Sequence, residues 1–149
     1  MHSPTPKNRT VTSSTFGLAI QGLVLLSMSN KVCPSQELAK MMNTGTTFLR
    51  RMIRPLVRAN LVEAREGRDG GYLLAKPANQ ITVADVYRAL QLHDPLGSGM
   101  MDSTTDCERG NLLKGLFQEM SSQVEESTLR VFEQYTIEHI ASEVMKFET

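Results

Sequence analysis

Between Thr46 and Arg68 the chain places Arg50, Arg51, Arg54, Arg58, Arg65 and Arg68, with Thr46 and Thr47 just ahead of them. A guanidinium is permanently charged and presents a planar fork of donors. It grips phosphate oxygens and can pair with both acceptors on the edge of a guanine. Leu49, Met52, Ile53 and Leu56 recur at three- and four-residue steps through the same stretch, so about Thr46 to Ala59 is expected to be a helix with one buried face. On that helix Arg50, Arg54 and Arg58 form an i, i+4, i+8 ridge beside Arg51, and Thr46 and Thr47 give its start a hydroxyl-bearing surface. A row of arginines on an isolated helix also suits a merely solvated face, so the elements around it have to decide.

Directly before it, Ser35-Gln-Glu-Leu-Ala-Lys-Met-Met predicts a short helix, with Ser35 as cap and Leu38, Ala39 and Met42 turned inward. Asn43-Thr-Gly is expected to make a tight turn. Two short helices across such a turn, the second one basic, match the helix-turn-helix plan, in which the second helix enters the major groove. Leu61-Val-Glu-Ala-Arg and Tyr72-Leu-Leu-Ala read as strands, and Glu66-Gly-Arg-Asp-Gly-Gly between them supplies the residues of a tight reversal. This hairpin is expected to be a wing, with Arg65 and Arg68 at its tip along a sugar-phosphate edge or in a minor groove.

Three segments then carry a family resemblance. They are Leu56-Val-Arg-Ala-Asn-Leu-Val, Arg65-Glu-Gly-Arg-Asp-Gly-Gly-Tyr-Leu-Leu-Ala-Lys-Pro, and Gln80-Ile-Thr-Val-Ala-Asp-Val-Tyr-Arg-Ala-Leu. Together they resemble the Rrf-two-type family of bacterial winged-helix transcription regulators, continuously over about Phe16 to Leu90. The resemblance implies a DNA-binding regulator that dimerises through a long C-terminal helix. Several relatives hold an iron–sulfur cluster on three cysteines after the fourth helix, whereas here that segment contains only Cys107. No cofactor and no metal are therefore expected, since a cluster would need unusual ligands such as His93 or a carboxylate. Two departures stand out: Asn60 replaces the usual glycine after the helix, where Asn is the next best left-handed cap, and Pro55 lies inside the basic helix, where it removes a hydrogen bond to the Arg51 carbonyl.

The net charge of zero hides a polarised chain. Residues 1–30 sum to +2, residues 31–76 to +5 and residues 77–149 to −7, so the half that can meet a polyanion is the half with the basic helix. With 40% hydrophobic residues, no tryptophan and nine methionines, the 149-residue chain suits a helical protein packed with aliphatics. No apolar run approaches a signal or membrane span, so no membrane partner and a cytoplasmic location are expected. Enzyme signatures are missing: His2, His93 and His139 are scattered, and there is no nucleophile elbow, H-E-x-x-H or phosphate loop.

The remaining elements must position this site. Residues 1–12 are expected to be a flexible tail and 13–91 the winged helix-turn-helix domain. Within it, Phe16, Ala19, Ile20, Leu23 and Val24 mark a helix from Ser13 or Ser14 to about Ser27, and Thr82-Val-Ala-Asp resembles a capping box opening a helix to about Gln91. Residues 92–110 are rich in turn formers and are expected to be an irregular, sensor-type loop. Residues 111–149 are expected to be dimerisation helices. From Asn111 to Tyr135 the positions Leu113, Phe117, Met120, Val124, Val131 and Tyr135 give a heptad-like seam, with Leu112, Leu116 and Leu129 widening the face, and a last helix capped by Thr136 folds back.

The fold class expected is thus mainly α: a winged helix-turn-helix with a small β-hairpin wing and a long C-terminal dimerisation helix. The function expected is a sequence-specific, homodimeric DNA-binding transcriptional regulator, a repressor, on a palindromic double-stranded operator. A winged-helix module that binds protein instead of DNA is the alternative. Cys107, in a polar loop, and Cys33, in an apolar link, are candidate redox residues, with Cys33 also readable as buried filler and Cys107 as an incidental loop residue.

Overall fold

The computed structural model describes residues 13–92 and 95–148. The expected tail, His93 and Asp94 lie outside the described residues. In chain order the elements are α1 (Ser13–Ser27), α2 (Ser35–Met41), α3 (Thr46–Arg58), β1 (Val62–Arg65), β2 (Gly71–Leu74), a 3-10 turn (Ala78–Gln80), α4 (Val83–Ala89), α5 (Pro95–Asp102), α6 (Glu108–Glu133) and α7 (Ile137–Lys146). The architecture is mainly α with one antiparallel hairpin, whose register pairs Val62 with Leu74 and Arg65 with Gly71.

One core explains why α1, α2, α3 and α4 pack as they do. The predicted inward positions Leu38, Ala39 and Met42 of the helix-turn-helix and Leu49, Met52, Ile53 and Leu56 of α3 are all buried, against Ala19, Leu23 and Val24 of α1 and Val86 and Leu90 of α4 and its cap. Each fully buried aliphatic is worth roughly 1.5–3 kcal/mol over its exposed form. Ile137 and Ala141 of α7 join the same cluster, so the last helix folds back onto that core and α6 is left as the projecting element. The junction of α6 and α7 is pinned there by backbone pairing: Val83 N–H donates to the Tyr135 carbonyl and Ile137 N–H to the Ile81 carbonyl, each at 2.9 Å.

Local signals behave as their chemistry dictates. Thr82 Oγ1 accepts from Asp85 N–H while Asp85 Oδ2 accepts from Thr82 N–H, completing the anticipated capping box, and Thr136 accepts from His139 N–H at the start of α7. Asn60 is left-handed (φ 64°) after α3, as an Asn in the glycine position must be. Asn43, with φ 52°, is the left-handed residue of the helix-turn-helix turn, whereas Gly45 is extended and caps α3. Ser35 is not the cap of α2. Pro34 occupies that position, because Cys33-Pro34 is held extended against the hairpin, and Ser35 is already helical. Pro55 sits within α3 without ending it.

Two expectations about the second half are corrected. Residues 92–110 are not an irregular loop throughout, because Pro95–Asp102 forms α5. Pro in the first helical turn is favourable, and packing of α5 on α6 offsets the poor helix propensity of Gly97 and Gly99. Nor does the long helix run from Asn111 to Tyr135; it spans Glu108–Glu133, starting one turn earlier, because Cys107 caps it.

Candidate nucleic-acid interface

The outward face of α3 and the hairpin enclose a groove of about 790 Å³. Arg50, Arg54 and Arg58 line one wall from α3; Arg65, Glu66, Gly67 and Arg68 line the other; Pro34, Ser35 and Gln36 at the start of α2 close one end. Four of the predicted site residues, Arg50, Arg54, Arg65 and Arg68, therefore share one concavity, and Arg58 of the predicted ridge joins them. Thr46, Thr47 and Arg51 lie on α3 outside the lining, Thr46 half-buried and Thr47 and Arg51 exposed. Glu66, Ser35 and Gln36 were not anticipated. Only the hairpin register and the entry into α2 bring them here, and neither is visible in residue type.

Among the described residues, Arg50, Arg51, Arg54, Arg58 and Arg68 make no ion pair, so their guanidiniums are held for no protein partner. Arg65 is oriented by Glu63, whose Oε1 accepts from its Nε at 3.3 Å. A concave wall of unpaired guanidiniums facing water is a favourable site for a polyanion.

The hairpin is fixed to the helix-turn-helix by a third chain segment. Cys33 N–H donates to the Tyr72 carbonyl and Tyr72 N–H to the Cys33 carbonyl, both at 2.8 Å, so the predicted extended link is a one-rung strand beside β2. Gly71 makes this possible. Its φ is 151°, and a Cβ there would overlap the Cys33 carbonyl.

The two thiols occupy contrasting places, and both are free. Cys33 is buried behind the hairpin, and burial, with Glu37 second, pushes its pKa up. Cys107 is exposed at the α5–α6 corner. Its Sγ accepts from Gly110 N–H at 3.3 Å and lies 3.4 Å from Thr105 Oγ1. Donation by the Thr105 hydroxyl and then by Gly110 N–H holds the Cys107 thiol below its ordinary pKa. Gly110 is itself required by the corner, since a Cβ would strike the Thr105 carbonyl.

Along α6 the predicted seam is laid bare. Leu113, Met120, Val124 and Val131 are exposed, as is Tyr135 just beyond the helix, and Phe117 is half-buried. Leu112 and Leu116 extend the exposed strip, while Leu129 turns toward the body. A monomer rarely leaves so continuous an apolar row in water.

The Rrf2 family model, described as an iron-dependent transcriptional regulator, matches residues 12–143. The chain belongs to the Rrf2 family. It is 30% identical over 123 residues, 75% of this chain and 79% of the relative, to YwgB of Bacillus subtilis, whose name assigns it provisionally to the HTH-type transcriptional regulators. It is 29% identical over 113 residues, 72% of each chain, to the HTH-type transcriptional regulator IscR of Cereibacter sphaeroides. Among solved structures, CymR, the global cysteine regulator of B. subtilis, superposes with a TM-score of 0.59 over 88% of this chain and 95% of its own at 23% identity. IscR of T. potens does so with 0.67 over 93% and 90% at 18% identity. These last two speak for the fold. This Rrf2 protein is thus a transcriptional regulator with a DNA-binding fold, in a family of regulators rather than enzymes.

The family description names iron. Among the described residues no three His, Cys, Asp or Glu side chains gather as metal ligands, and the two thiols are separated into a buried and an exposed site. Among the described residues, no helix is long and apolar enough to cross a membrane.

Proposed function

We propose that this protein is a sequence-specific repressor that acts in the cytoplasm as a homodimer on a palindromic double-stranded operator. The observation that carries this is the groove in which Arg50, Arg54 and Arg58 of α3 and Arg68 of the hairpin make no ion pair, beside Arg65, which Glu63 orients. The start of α3 (Thr46, Thr47, Arg50, Arg51, Arg54) enters the major groove, where a guanidinium can pair with guanine O6 and N7. Arg65 and Arg68 on the wing take the adjacent backbone or minor groove. The α6 seam joins two copies, and their two-fold axis matches that of the operator.

Oxidation at Cys107 is the proposed signal. A peroxide transfers one oxygen atom to the thiolate, giving the sulfenic acid and hydroxide. That disturbs the sulfur that caps α6 between Thr105 and Gly110.

Selection of DNA fragments from a random pool tests the reading. The expected product is a palindrome with half-sites about one turn, roughly 34–36 Å, apart. On that operator, Arg54→Ala is expected to cost about 1–3 kcal/mol and to relax one base position. Arg68→Ala is expected to weaken all sequences alike and to reduce the salt slope by about one unit. Recovery of no enriched sequence would favour a protein-binding winged helix instead.

A further inference from the structure

We infer that the contact between α4 and the C-terminal half of α6 is a spacing gauge: through Phe132, Tyr87 and Phe16 it sets how far apart the two recognition helices stand, and hence which half-site spacing is accepted. The inference rests on the dimeric, DNA-binding reading above.

Three rings from three helices meet there. Phe16 of α1 lies 5.9 Å from Tyr87 of α4 at 74° and 5.4 Å from Phe132 of α6 at 56°, and Tyr87 lies 5.6 Å from Phe132 at 53°. Edge-on and tilted aromatic packing of this kind fixes orientation as well as distance. Polar clasps stand on both sides of the rings. The Tyr87 hydroxyl donates to Glu125 Oε2 at 2.8 Å, nearly two turns before Phe132, and Arg88 Nη2 donates to Glu133 Oε1 at 2.7 Å just after it. The helix is thereby held against both roll and tilt.

The side chains of α6 turned toward the body are Glu125, Leu129 and Phe132, with Ser121 and Thr128 beside them, all half-buried. At about 100° per residue this row lies roughly a quarter-turn around the helix from the exposed seam of Met120, Val124 and Val131. One rigid helix thus carries the body on one face and the partner on the next. Any change at the rings is transmitted to the second recognition helix. A tilt of about 5° over the roughly 39 Å of α6 displaces its far end by about 3.4 Å, the rise of one base pair. A small change of angle at the contact therefore equals about one base-pair step at the far end of the helix.

The test uses the full chain and a series of operators whose half-sites are one base pair closer, native, or one base pair further apart, together with a single half-site and sedimentation of the free protein. Wild type is expected to prefer the native spacing about tenfold or more, a difference of about 1.4 kcal/mol. Phe132→Ala is expected to bring the ratio near unity, and Tyr87→Phe, which keeps the ring but releases Glu125, to about threefold. Phe132→Tyr should keep the wild-type ratio. All three should dimerise and bind the single half-site as wild type does. If Phe132→Ala and Tyr87→Phe keep the wild-type spacing ratio, or lose affinity equally at every spacing and at the half-site, the gauge is overturned. A wild type indifferent to spacing would overturn the gauge if sedimentation shows a dimer, and the dimeric reading beneath it if sedimentation shows a monomer.

Discussion

Met120→Glu places the most demanding load on the α6 seam. Met120 is 47% exposed in the isolated subunit, so a dimer through this face has about half of its side chain left to bury. Full burial of such a side chain is worth roughly 1.5–3 kcal/mol, which gives about 0.7–1.4 kcal/mol per subunit and about 1.4–2.8 kcal/mol for the symmetric pair. Glutamate forfeits this and puts two carboxylates near the two-fold axis, where the exposed neighbours Val124 and Leu116 offer no countercharge. The dimer dissociation constant is expected to rise at least about 10- to 100-fold. The control is Ser122→Glu, which adds the same charge at an exposed position on the opposite side of α6. Sedimentation equilibrium over a concentration series reads both variants, and a gel shift on a two-half-site operator reads the consequence. A wild type that stays monomeric, or a Met120→Glu dimer as tight as that of Ser122→Glu, would refute the assignment of the seam.

Three further outcomes are expected. Gly71→Ala should lose about 2–4 kcal/mol in urea denaturation, from two broken backbone hydrogen bonds to Cys33 and the strain at φ 151°. Gly67→Ala, strained but open, should lose only about 1–2 kcal/mol, and equal losses would mean that the Cys33 rung is dispensable. In alkylation across a pH series, Cys107, its pKa lowered by Thr105, should react at lower pH than Cys33, whose pKa burial raises; coincident pH profiles, or a Thr105→Val variant that leaves the Cys107 profile unmoved, would contradict these causes. Gln91→Gly should stabilise the protein by about 0.5–1 kcal/mol, because Gln91 is left-handed (φ 53°) after α4 and glycine adopts that conformation freely; an unchanged denaturation midpoint would remove the claim.

What could be seen in the sequence was what depends on neighbours a few residues away. Thr82 and Asp85 are three apart, so their reciprocal cap is written in the chain, and the same holds for Thr136 and for the buried face of α3. Where the decisive partner is distant, residue type misleads. Pro95-Leu-Gly-Ser-Gly reads as a loop, and only contact with α6 makes it helical. Cysteine is an unusual cap, and Gly110 looks like a break in the long helix, yet the carbonyl of Thr105 leaves room for nothing larger and the Cys107 sulfur takes up the Gly110 N–H. In the sequence Asp102, Asp106 and Glu108 argue for a raised Cys107 pKa and Arg109 and the helix start for a lowered one; hydrogen bonds from Thr105 and Gly110 decide the direction because they act on the sulfur itself, whereas exposed charges are screened by water. The groove follows the same logic. Arg54 and Arg68 are fourteen positions apart and meet across it only because Tyr72 pairs with Cys33, ahead of α2, and draws the wing against the helix-turn-helix. That rung, made of backbone atoms and permitted by a single glycine, is therefore where a change far from any arginine would most directly alter the shape offered to DNA.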